Sequence, residues 1–369
     1  MLDFNNLYAF TIFVQNKMPM KKHTLIVSAA VLTALIASQA CNQSAEKENA
    51  AETEASFTAE DSTLWKTASN IFKPLPPIEV NLESPLFKLG EKLYHETALS
   101  ANNQMSCNTC HQVANYGVDN EPTSPSFDKK ARGERNSPSS YNASLHIAQF
   151  WDGRAADLVE QAKGPILNPV EMGLKNEKEA VAKIKAIPEY KELFEAAFPG
   201  EKDPITYHNI ALAISEYEKS LMTPSPFDEY LKGNYAALDA KQREGLKTFI
   251  ETGCITCHTG VNLGGHMYQK FGLVKGPYWE YTGSERQDVG RYAVTKNEAD
   301  MYVFKVPSLR NVEKTWPYFH DGSVADLSKA VRIMATTQLG RDLSNEQTDA
   351  IVAFLRSLTG EIPKHIASN

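Results

Sequence analysis

Hydrophobic positions recur along this chain mostly at helical spacing, in short runs that stop at proline or glycine, while alternating strand patterns are scarce. Ser84 followed by Pro85 reads as an N-cap with proline at the first helical position, which predicts a helix over 85–94. Further helices are predicted over 177–187, stopping at Pro188; over 190–198, stopping at Pro199 and Gly200; and over 205–221, stopping at Pro224 and Pro226. Asp239 caps a helix over 240–252, and Ser344 with Gln347 forms a capping box for a last helix through 358, closed by Gly360. The expected class is all-α.

One run does not fit a folded domain. Positions 25–37 are predominantly apolar over 13 residues and follow Lys21, Lys22 and His23. That length is short for a bilayer span and suits the apolar core of a signal segment, so residues 1–40 are set apart from the fold and the mature chain is expected in the periplasm. Positions 1–17 fit neither a signal nor a domain, which makes Met18 or Met20 an alternative start. Cys41 follows Ser38, Gln39 and Ala40 and resembles a lipidated lipoprotein cysteine, although the usual leucine before it is missing; a plain cleavable signal is the alternative. Residues 41–60 are polar and acidic and read as a flexible tether, anchored to the membrane if Cys41 carries lipid.

Composition alters this picture only by exclusion. With 42% hydrophobic and 22% charged residues the bulk of the 369-residue chain is globular. The net charge of −7 and the absence of Lys/Arg clusters interleaved with aromatics argue against a nucleic-acid partner.

The remaining cysteines bring chemistry. Cys107, Cys110 and His111, and again Cys254, Cys257 and His258, form Cys-x-x-Cys-His, the attachment signature of c-type haem. Export permits disulfides, and two bridges are the bland alternative, but a disulfide needs no histidine at this spacing in either segment. Two thioethers fix a porphyrin to one helical turn, and the next residue then faces the iron as its proximal ligand. A zinc site would need four convergent ligands, which neither segment supplies. The motifs lie in different halves, giving two cytochrome c-like domains, over 61–224 and 225–361, with a tail at 362–369 and a boundary in the run from Thr223 to Pro226.

An electron carrier seals its iron with a sixth ligand, whereas a catalytic haem keeps a position open. After His258, Met267 is too near to reach the other face of the ring, and Met301 and Met334 both have the reach; packing is the ordinary role for either. After His111 the candidates are Met172 and Glu171. A carrier would use the thioether, while peroxide cleavage calls for a carboxylate that takes a proton from one oxygen and gives it to the other. Spacing leaves both choices open.

Several longer strings narrow them. Phe150-Trp151-Asp152-Gly153-Arg154, Gln161 within the 160–166 segment, Asn168-Pro169-Val170-Glu171-Met172, Arg135-Asn136-Ser137-Pro138, Pro317-Tyr318-Phe319-His320-Asp321-Gly322 and Gln338-Leu339-Gly340 resemble, in order, the bacterial di-haem cytochrome c peroxidases. The resemblance covers roughly 72–360. It implies a peroxidatic N-terminal haem and an electron-donating C-terminal haem, with Glu171 as the acid/base group and Gln161 as its polar partner. It further implies Trp151 and Phe150 on the electron route, and Met334 as the sixth ligand of the second iron. A calcium ion at the domain interface would be held by Asn136 and by backbone oxygens near Thr315 and Pro317, a hard-oxygen set. Hydrogen peroxide is the implied substrate, a small cytochrome c or copper protein the electron donor, and a homodimer the assembly.

One departure stands out. Many members of that family carry a histidine in the loop after the first haem motif that caps the peroxidatic iron in the oxidised state. Residues 112–135 hold none, and Phe127 or a neighbour takes its place, so the first haem is expected to be open without prior reduction. His146 is the nearest other histidine, close to Phe150 and Trp151. Two rivals remain: a MauG-like enzyme, whose second haem takes a tyrosine where Met334 stands here, and a di-haem electron carrier with both irons six-coordinate.

Overall fold

The computed structural model describes residues 58–367; the signal segment, Cys41 and most of the expected tether lie outside them. The principal helices are α1 (Ala59–Ile71), α2 (Pro85–Tyr94), α3 (Leu158–Leu167), α4 (Glu177–Lys185), α5 (Glu189–Ala197), α6 (Tyr207–Glu218), α7 (Pro226–Leu231), α8 (Ala240–Thr252), α9 (Leu327–Leu339) and α10 (Asn345–Arg356). One antiparallel pair, β1 (Tyr268–Lys270) and β2 (Val303–Lys305), is the only sheet among the described residues, so the all-α expectation holds. No described helix is long and apolar enough to cross a membrane.

The caps formed where side-chain chemistry demands them. Ser84 accepts from the Phe87 amide, Asp239 and Gln242 close a reciprocal box, and Ser344 and Gln347 do the same. Helix α1 begins inside the last residues of the expected tether because Thr58 and Asp61 form another such box. Helix α4 stops at Lys185, two residues short of the expected end, since the residue before Pro188 is disfavoured in helical geometry.

Three apolar cores result, and the two larger ones are closed by the same device. A Cβ on Gly90 of α2 would stand 1.9 Å from the Ala213 carbonyl oxygen of α6, and one on Gly245 of α8 would stand 1.8 Å from the Ala350 carbonyl oxygen of α10. Only glycine allows these helix pairs to cross so closely. The first core gathers Leu89, Leu93, Tyr94, Ile210, Ile214 and Tyr217; the second gathers Phe227, Tyr230, Leu246, Phe249, Ile351 and Phe354.

Both ends of the described chain pack into the opposite core. Ala68 and Phe72, from α1 and its cap, are buried in the second core, and Trp65 donates through Nε1 to the Tyr230 carbonyl at 3.0 Å. Ile366 returns to the first core.

Between the cores, Arg310 and Asp228 form a fully buried bidentate pair, both contacts 2.8 Å. Burial works to raise the Asp228 carboxyl, but the hydrogen bonds and charge of Arg310 outweigh it and hold the group below the usual carboxylate range. Asp228 also accepts from the Leu75 and Ser225 amides, so it ties α1's exit segment to α7. Replacing Asp228 by alanine strands a buried guanidinium and is expected to cost about 3–5 kcal/mol, read as a lowered urea midpoint of the holoprotein.

Candidate haem sites

The second Cys-x-x-Cys-His motif follows directly from α8, whose Gly253 takes a left-handed conformation at its C-cap. His258 places Nδ1 2.8 Å from the Leu263 carbonyl oxygen. A carbonyl only accepts, so Nδ1 carries the proton and Nε2 is left with its lone pair. Burial pushes the ring down to about 4, which keeps it in the neutral, ligating form. Met334, on α9, lines the same cavity as Cys254, Cys257 and His258; that cavity of about 190 Å³ is walled mostly by apolar side chains such as Phe249, Phe271, Leu339 and Leu355, with Lys305 and His320 among the polar ones. An apolar slot with two free cysteines at one wall, an oriented imidazole and a thioether fits a covalently attached haem.

The first motif occupies a single helical turn, Cys107–Cys110, opened by Ser106 and Thr109. His111 Nδ1 lies 3.4 Å from the Gly117 carbonyl oxygen, a longer version of the same arrangement, and burial lowers its affinity for a proton. All four motif cysteines are free thiols. Burial pushes Cys110 up to about 11 and Cys254 up to about 12. These residues too fit a haem joined by thioethers.

Helix α3 and the turn after it position Glu171. The Met172 and Leu174 amides donate back to the Pro165 and Ile166 carbonyls, folding the turn against the end of the helix. Asn168 then holds the carboxylate, donating through Nδ2 to Glu171 Oε1 at 2.8 Å while its own Oδ1 accepts from the Val170 amide. Desolvation raises the Glu171 pKa; the Asn168 bond and the Arg154 charge oppose it without cancelling it. Met172, the other candidate, is 3% exposed and packed in the first core. Phe127 donates its amide to the Glu171 carbonyl at 2.8 Å, and its ring fills the space beside Gly173. The loop in which a capping histidine is expected thus places Phe127 against the Glu171–Gly173 turn. Gln161 lies on α3, half-buried, and no hydrogen bond joins it to Glu171.

Phe150 and Trp151 sit where the halves meet. Phe150 has φ of 67°, a left-handed conformation that is costly for an aromatic residue, and the Arg154 guanidinium stacks on its ring at 3.5 Å. Trp151 donates through Nε1 to the Asn136 carbonyl at 2.9 Å, and its own carbonyl accepts from the Lys305 amide of β2. It lines both the cavity of His258 and Met334 and a second cavity of about 110 Å³. Asn136, Thr315 and Pro317 all line that second cavity. Among the described residues no three His, Cys, Asp or Glu side chains cluster as a metal cage.

Three residues escaped the reading of the sequence. Arg154 and Asn168 act on Glu171, and both stand inside motifs already singled out, so their type and place were the available signal. Lys305 is 6% exposed and meets His146, 159 positions away, at 2.9 Å; no local pattern announces that contact.

Comparison with known proteins agrees with this geometry. The family model described as di-haem cytochrome c peroxidase matches residues 84–236, and the model described as cytochrome c matches 242–359. The cytochrome c551 peroxidase of Pseudomonas aeruginosa is 48% identical over 312 residues, covering 83% of this chain and 89% of that protein. The cytochrome c551 peroxidase of Nitrosomonas europaea is 42% identical over 294 residues, covering 79% and 85%. A solved MauG-like protein associated with microbial copper homeostasis superposes with a TM-score of 0.68 at 28% identity, covering 80% of this chain and 95% of that one. With two haem c groups as its cofactors, this chain belongs to the family of di-haem cytochrome c peroxidases.

Proposed function

We propose that this chain reduces hydrogen peroxide to water in the periplasm, taking two electrons and two protons per peroxide, with a small cytochrome c or copper protein as donor. The observation that carries the reading is Glu171: a carboxylate with a raised pKa, fixed by Asn168, beside a phenyl ring where a capping histidine would otherwise stand.

When bound, the N-terminal haem supplies the metal at which the O–O bond is cleaved. Glu171 accepts the proton of the peroxide oxygen and returns it to the leaving oxygen, which departs as water. Asn168 keeps the carboxylate pointing one way, and Arg154 limits how far burial can neutralise it. Gln161 orients the substrate from α3. Trp151 carries electrons between the halves, with Phe150 beside it, and the Met334 thioether favours the reduced state of the second centre. Asn136 and backbone oxygens near Thr315 and Pro317 would hold calcium in the cavity that they line. The chain works as a homodimer and is tethered to the membrane by lipid on Cys41.

Met334 in the cavity of Cys254, Cys257 and His258 favours this reading over a MauG-like one, which would place tyrosine there. Turnover of peroxide by purified holoprotein with a reduced small cytochrome tests the whole proposal, and an inert holoprotein carrying two haems would leave only an electron relay.

Glu171 acts as a base in its ionised form, and its pKa is raised. Turnover is therefore expected to fall as the pH drops through a midpoint above the ordinary carboxylate range. Glu171→Gln should abolish that acid limb of the kcat/KM profile and lower turnover by about 10²–10⁴-fold. Paramagnetic and electronic spectra of the fully oxidised holoprotein should show one high-spin and one low-spin iron, with activity present before any reduction. Two low-spin irons would overturn the open first site.

A further inference from the structure

The second cavity has a charge problem that its own walls do not solve. Lys305 and Arg310 both line it, yet no Asp or Glu does. Arg310 is accounted for by its bidentate pair with Asp228. Lys305 is not. Among the described residues its ammonium has one hydrogen-bond partner, His146 Nδ1 at 2.9 Å, and that partner is a neutral ring. The nearest carboxylate acting on it, Asp152, is engaged by Arg135 at 2.6 Å and by Arg154 at 3.2 Å.

His146 has the complementary defect. Because Lys305 donates to Nδ1, the ring's hydrogen stands on Nε2, and that atom is buried with no acceptor. Gly265, which has no side chain to collide with the ring, closes the other side. A buried ammonium whose one hydrogen-bond partner is a neutral ring, beside a cavity with no carboxylate in its walls, is an incomplete site. Calcium held by Asn136, Thr315 and Pro317 in the same cavity would add further positive charge and deepen the deficit.

We propose that Lys305, held in place by His146, seats a propionate carboxylate of a bound haem in the cavity beside Trp151. The inference rests on the attachment of haem at both motifs. Cavity, residues and chemistry agree: a carboxylate oxygen accepts from the ammonium and cancels the charge of Lys305, while the bond to His146 Nδ1 fixes where the ammonium stands. The haem cavity of His258 and Met334 adjoins this position, since Lys305 and Trp151 line both it and the second cavity. A positive charge held on a propionate favours the reduced iron of that haem, so Lys305 sets a potential without touching peroxide.

The test is spectroelectrochemical titration of the holoprotein and of Lys305→Gln and Lys305→Arg, at fixed pH. A haemochrome assay must first count two haems per chain in each, which separates failure of this inference from failure of haem attachment. Lys305→Gln is expected to lower the midpoint of one haem by about tenfold in its reduction equilibrium, ~59 mV for one electron, with Lys305→Arg close to the parent. A shift in the methionine-ligated, low-spin centre assigns the carboxylate to the C-terminal haem; a shift in the other assigns it to the N-terminal one. Both midpoints unmoved in Lys305→Gln would overturn the proposal. Should Lys305→Gln fail to retain both haems, a crystal structure of the parent holoprotein decides. A propionate oxygen within hydrogen-bond distance of Lys305 Nζ supports it, and water or a protein acceptor there refutes it.

Discussion

In each half a backbone carbonyl takes the Nδ1 proton of one histidine, and this bond governs everything the opposite nitrogen can do. For His258 the carbonyl belongs to Leu263 and for His111 to Gly117, both a few residues downstream in the loop that each motif opens. The loop therefore cannot move without turning the ring. The helices that cross at Gly90 and Gly245 also touch the motifs: Tyr94 of α2 donates to the His111 carbonyl at 2.8 Å, and the Phe249 ring of α8 packs 6.4 Å from that of His258.

From that shared frame the halves diverge in the side chains gathered around each motif. The cavity of His258 is walled by the Met334 thioether and mostly by hydrocarbon, with Lys305 at its border. The first site carries a carboxylate whose environment works against its charge, with an amide and a guanidinium nearby that keep it usable. Phe127 is part of the same turn, its amide bonded to the Glu171 carbonyl and its ring packed beside Gly173.

How much of this could be read in advance follows the range of the interactions. Caps at Ser84, Asp239 and Ser344, and the haem motifs themselves, are local and were legible. Helix α3 was missed because Gly164 and Pro165 in its last turns disguise it, although Asp157 caps it well. Helix α9 carries Met334 and went unpredicted for lack of a strong stop before Gly340. Position along the chain could not choose between Met301 and Met334; only the resemblance did, and Met334 is the one that lines the cavity. The Arg310–Asp228 pair spans 82 positions and Lys305–His146 spans 159, separations at which single residues leave no pattern to read.

The crossing of the chain's ends has a mechanical meaning. Helix α1 precedes the first haem motif yet is buried against Tyr230, and Ile366 follows the second yet is buried near Phe87 and Tyr217. Each terminus thus acts as a latch on the half to which it does not belong. Pulling the halves apart would unclasp both, so the spacing of the two haem motifs is guarded by the first and last of the described segments.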